Sequence, residues 1–90
     1  MLQYCMEHDR ELKFRIDDAF FAIKDLRPDK REDLRRMWRH VRDLWNQMDI
    51  EMVNCRKIHR KTPKYLDLES ECSQCLLTVE SYISWAHLSS

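Results

Sequence analysis

The chain contains no glycine and only two prolines, Pro28 and Pro63, in 90 residues. Glycine supplies the positive φ of tight hairpin turns and of many β-bulges. Its absence argues against a sheet protein and for helices joined by short turns. It also removes phosphate-cradling loops, dinucleotide-binding turns and nucleophile elbows, which need glycine at fixed positions. No HExxH sequence is present either, and the chain is read as non-enzymatic.

Long apolar runs are missing as well. The longest, Ala19-Phe20-Phe21-Ala22-Ile23, falls far short of the roughly 20 residues that cross a bilayer as a helix. The first apolar stretch is brief and acidic residues begin at Glu7, so neither a secretory leader nor a membrane partner is expected. The expectation is a soluble cytoplasmic protein, whose cysteines stay thiols or metal ligands in a reducing compartment.

Net charge is absent too, with 16 basic and 16 acidic side chains. Its distribution is uneven. Residues 1–28 are nearly balanced, residues 29–64 carry eleven basic and six acidic side chains, and residues 65–90 carry four acidic and no basic ones. A basic middle segment therefore lies between a nearly neutral segment and an acidic one.

What the chain does have is helical periodicity. In the first segment Leu2, Cys5, Asp9, Leu12, Ile16, Ala19, Ile23 and Leu26 alternate steps of three and four. Leu34, Met37, Val41, Leu44, Met48, Glu51, Cys55 and Ile58 do so in the second, and Tyr65, Leu68, Cys72, Cys75, Val79, Tyr82 and Ala86 in the third. Sustained 3-4 spacing belongs to packed, nearly antiparallel helices. Asp29 with Glu32 reads as a capping box, and Thr62-Pro63 as an N-cap followed by proline at the first helical position. Helices are expected over 3–26, 29–61 and 63–87. The fold class is all-α: one domain, an antiparallel up-down-up three-helix bundle with a long central helix.

All four cysteines, Cys5, Cys55, Cys72 and Cys75, fall on these seams. With turns centred near residues 28 and 62–63, Cys5 lies level with Glu51, Cys72 with Val53 and Cys75 with Ile50. The four thiols then gather within about 7 Å of bundle height. Three readings are open. The preferred one makes them small apolar core residues without a cofactor. The second is a structural Zn²⁺ site of four thiolates, with Glu51 as ligand or support. The third is one or two disulfides. His59 drops out of any such set, because it lies near the turn and roughly 14 Å along the bundle from Cys75. The Cys72-x-x-Cys75 pair sits inside a helix beside Glu69 and Glu71, which raise a thiol pKa and argue against redox catalysis.

Two surface patterns point to partners. Arg35, Arg36, Arg39 and Arg42 form an outward ridge that suits phosphates, unless it is a solvated face paired with Glu32, Asp33 and Asp43. Trp38, Trp45, Met52 and His59, spaced by seven, flank the core seam and are expected to pack on a neighbouring helix. Phe14 and Phe21, seven apart, fall on the outward face of helix one. Ile50 and Val53, like Leu77 and Trp85, lie off their seams. Either the apolar stripe is wider than a heptad seam, or these residues meet a partner or a second copy. The function expected is that of an adaptor, subunit or regulator acting through protein contacts at Phe14, Phe21, Ile50 and Val53, with a homodimer among the possibilities. A nucleic-acid-binding regulator is the first alternative and a zinc-stabilised bundle the second.

Overall fold

A computed structural model describes residues 6–88, with the side chains of residues 9–88. These residues form three helices, α1 (Met6–Lys24), α2 (Pro28–Ile58) and α3 (Pro63–Leu88), and no strand. They run up, down and up as a three-helix bundle, and α3 packs on α2 more extensively than α1 packs on either. The molecule measures 48 × 19 × 16 Å, its long dimension set by the 31-residue α2.

The 3-4 seams account for the core. Leu12, Ile16, Ala19 and Ile23 from α1 meet Leu34, Val41, Leu44 and Met48 from α2, all buried. Each large aliphatic side chain taken out of water contributes about 1.5–3 kcal/mol before entropy is counted. On α3 the seam differs from the expected one. The buried residues are Tyr65, Leu68, Cys72, Leu76, Val79, Ile83 and Ala86, while Cys75 is half-buried and Tyr82 exposed. Both seams fit 3-4 spacing; packing takes the one that buries the larger aliphatic surface of Leu76 and Ile83. Ile58, expected on the α2 seam, is exposed at the helix end.

The helix ends explain the connections. Arg27 has an extended backbone, as a residue before proline prefers, and Pro28 opens α2. The Arg27 carbonyl accepts from Lys30 and Arg31 N–H at 3.1 and 2.9 Å. The expected capping box of Asp29 and Glu32 is therefore not made, and both lie inside the helix. At the far end α2 stops at Ile58, not 61, because His59 turns left-handed at φ 57° and ψ 34°. The N–H groups of His59 and Arg60 then both return to the Cys55 carbonyl, a Schellman-type close with histidine where glycine is usual. Thr62 does cap α3 as expected: its Oγ1 accepts from Tyr65 N–H at 3.1 Å.

The register of α3 on α2 also differs from the expected one. Cys72 Sγ–H points to the Val41 carbonyl at 3.7 Å, not to the level of Val53. Thr62 lies beside Cys55 and Glu51. The observed Val41 level and the expected Val53 level are twelve residues apart on α2, roughly 18 Å along the bundle. The α1/α2 register stands as expected, with Trp38 Nε1–H donating to the Ile16 carbonyl at 2.8 Å.

Candidate interaction surface

The shifted register separates the cysteines. Val41, the level of Cys72, is about fourteen residues from Cys55 on α2, roughly 21 Å. Cys75 lies in a cavity of about 340 Å³ with Arg36, Met37, His40 and Thr78. The expected convergence of Cys55 with Cys72 and Cys75 is thus corrected, while Cys5 lies outside the described residues. Among the described residues no group of three or more His, Cys, Asp or Glu is placed to hold a metal ion. Burial, then the neighbouring Cys75, pushes the Cys72 thiol up to about 11; burial and then Glu71 raise Cys75. Burial leads both shifts, with Glu69 adding to that of Cys72 and Glu71 to that of Cys75.

Cys55 and Glu51 belong instead to a polar cluster closing one end of the bundle. Thr62 Oγ1–H donates to Glu51 Oε2 at 2.7 Å and Asn54 Nδ2–H to Oε1 at 2.9 Å. With the Thr62 hydroxyl proton used on Glu51, the Cys55 thiol is the donor in its 3.8 Å contact with Thr62 Oγ1. These bonds, the Thr62 one first, hold the Glu51 carboxyl below its usual range. Tyr65 Oη–H donates to Asp9 at 2.7 Å, joining α3 to α1. This arrangement stitches the three helices together and leaves Glu51 buried.

The solvent-facing residues form a clearer pattern. Phe14 is 67% exposed, Phe21 61%, Ile50 74% and Val53 54%. The two phenylalanines are therefore not part of a widened core. They lie along the outer side of α1 among charges of both signs: Arg10, Asp17, Asp18 and Lys24 are exposed, and Lys13 Nζ pairs with Asp17 at 2.9 Å. Beneath them Phe20 packs on Trp38, ring centroids 5.0 Å apart, and meets Phe21 edge-on at 5.8 Å. Trp38, Trp45 and Met52 are half-buried against the core, as their spacing implied, whereas His59 is exposed.

The four arginines of α2 do not share one groove: Arg35 lies on the α1 side, and Arg36 lines the cavity that holds Cys75 of α3. Arg36 and Arg39 are exposed, and Arg35 and Arg42 half-buried. Arg35 shares a narrow cleft with Phe20, Lys24 and Trp38, and one Arg42 Nη is buried without a hydrogen-bond partner among the described residues. None of the four makes an ion pair with Glu32, Asp33 or Asp43. The acids of α3 are mostly engaged elsewhere: Glu80 with Arg15 at 2.6 Å, Glu69 with Lys61 at 2.7 Å, and Glu71 near His40 at 3.8 Å.

No protein-family model, curated protein or solved structure matches this chain.

Sequence reasoning missed one further feature. Leu34, Met37, Tyr82 and Trp85 line a cavity of about 520 Å³ between α2 and α3, with Asp29 and Asp33 at its rim. Lys30 Nζ lies 5.8 Å from the Trp85 ring centre. Periodicity sets Trp85 off the α3 seam and Tyr82 on it, so the spacing alone does not pair them. No helix among the described residues is long and apolar enough to cross a membrane.

Proposed function

We propose that this chain is a cytoplasmic, non-catalytic adaptor, subunit or regulator that works through protein–protein contact, with the outer faces of α1 and α2 as its contact surface. The observation that carries this reading is the exposure of Phe14 and Phe21 two helical turns apart on one face, with Ile50 and Val53 exposed on the adjacent helix. Single exposed apolar residues are ordinary, but paired aromatics on one face beside further apolar residues mark association sites. The raised thiol pKa values of Cys72 and Cys75 support a non-catalytic role for the CxxC pair.

The test is quantitative affinity capture from the source cells with two differently tagged copies, which separates self-association from other partners. Changing Phe14, Phe21, Ile50 and Val53 to Ser should remove the specific partners while leaving helix content unchanged. An unaltered partner set would reject the reading.

A second reading has one observation in its favour. Arg36 and Arg39 are exposed and free of ion pairs among the described residues, as phosphate-contacting side chains are. A nucleic-acid-binding role predicts RNA or duplex binding that falls steeply with salt and is lost in an Arg36→Ala/Arg39→Ala variant. Binding that persists in that variant would dismiss it.

A further inference from the structure

We infer that the cavity between α2 and α3 binds a small organic cation, an alkylated ammonium carrying a short apolar chain. None of Phe14, Phe21, Ile50 or Val53 lines this cavity, so its ligand does not depend on the protein-contact reading above. The volume of about 520 Å³ lies in the range of pockets that take small molecules. Buried Leu34 and Ala86 and half-buried Met37 give it an apolar floor. Tyr82 and Trp85, one turn apart on α3, supply two aromatic rings that are 52% and 64% exposed. Asp29 and Asp33, one turn apart on α2, supply two carboxylates. Rings with negative faces beside carboxylates hold a weakly hydrated cation.

The charges around the cavity agree with that ligand. Of the charged residues lining it, Asp29 and Asp33 are acidic and Lys30 is basic. Both carboxylates are exposed and make no ion pair among the described residues. Asp29 stands in the first turn of α2, where the helix dipole already favours its charge. Asp33, a turn further in, is therefore the principal partner for a ligand head. Arg36 and His40 line the adjoining cavity with Cys75 instead. No charged residue of α3 lines the site, and Glu80 is held by Arg15 at 2.6 Å. An anionic ligand would meet both carboxylates, and a neutral one would gain the apolar walls alone.

Lys30 marks where the cation goes. Its Nζ lies 5.8 Å from the Trp85 ring centre, inside the ~6 Å reach of a cation–π contact. The chain thus sets a cation of its own on the ring. A lysine ammonium is compact and strongly hydrated, so it loses more on leaving water than an alkylated head does. The ligand displaces Lys30 from the ring, places its head between Trp85 and the Asp33 carboxylate, and lays its chain on Leu34 and Met37.

Choline and its uncharged isostere 3,3-dimethylbutan-1-ol, titrated into the full chain and followed by NMR at the amides of residues 78–86, test the inference. Choline should give saturable shifts with a Kd on the order of a few mM. The isostere should bind about tenfold more weakly or worse. Asp33→Asn and Trp85→Ala should each weaken choline about tenfold with unchanged helix content; Asp33→Asn serves by itself if the Trp85 change lowers helix content. Lys30→Met should tighten choline binding, which a merely structural lysine would not do, and unchanged or weaker binding there would overturn the displacement. No saturation by about 20 mM, equal binding of the isostere, or an Asp33→Asn variant that binds like wild type would overturn the site. Phosphatidylcholine vesicles present the same head on a membrane, and co-sedimentation with them would overturn the assignment to a free small molecule.

Discussion

His59 holds a left-handed backbone conformation that costs a residue with a β-carbon about 1 kcal/mol or more. It holds it because the closing turn of α2 demands a positive φ and the chain has no glycine to offer. His59→Gly should therefore stabilise the fold by about 1 kcal/mol, which for a domain of this size raises Tm by roughly 4–8 °C. Thermal unfolding followed by circular dichroism checks it, and an unchanged or lowered Tm would mean that the imidazole contributes more than its backbone strain removes. Nothing in the sequence marks this residue. The 3-4 pattern runs on to Ile58 and the basic side chains to Lys61, so the periodicity gives no reason to stop where the helix does.

At the scale of helices, the junction between α2 and α3 is held by Thr62, which caps one helix and binds a buried carboxylate of the other. The lowered pKa of Glu51 gives this junction a pH dependence with a definite sign. A carboxyl whose folded pKa lies below its unfolded value favours the folded state once both forms are ionised. That stabilisation is present above the ordinary value of 4.5 and is lost as pH falls through the lowered folded value. Thr62→Ala should cost about 1 kcal/mol or more at neutral pH through the lost cap, and should also flatten the acid limb, since the largest cause of the Glu51 shift is gone. Thr62→Ser should restore both. Urea midpoints measured from pH 7 down to pH 3 decide the matter: an acid limb equally steep in wild type and Thr62→Ala would show that the hydroxyl does not tune Glu51. Thr62 was legible as a cap from the Thr-Pro pair, and Glu51 as a charged residue on a core seam. Their bond was not, because it depends on where α2 ends.

For the molecule as a whole, the three helices, their order and the α1/α2 pairing are legible because 3-4 spacing and two prolines specify them locally. The exposure of Phe14, Phe21, Ile50 and Val53 follows from the same spacing. The α2/α3 register does not, since an offset at the turn doubles along antiparallel helices, and Cys75 and Leu76 compete for one seam position on equal periodic terms. The cysteines turn this difference into an experiment. A disulfide needs Cα atoms within about 7 Å, whereas the level of Cys72, set by its contact with the Val41 carbonyl, is roughly 21 Å along the bundle from Cys55. In a Cys5→Ser/Cys75→Ser background, mild oxidation of the folded protein should leave the Cys55–Cys72 link unformed within a chain, and the same oxidation in about 6 M guanidinium should form it. Peptide mapping by mass spectrometry reads both states, with dilute protein limiting links between chains. Ready formation of the intramolecular link in the folded protein would instead place Cys72 near the level of Val53, with α2 running on toward residue 61 and the bundle closed by a later turn.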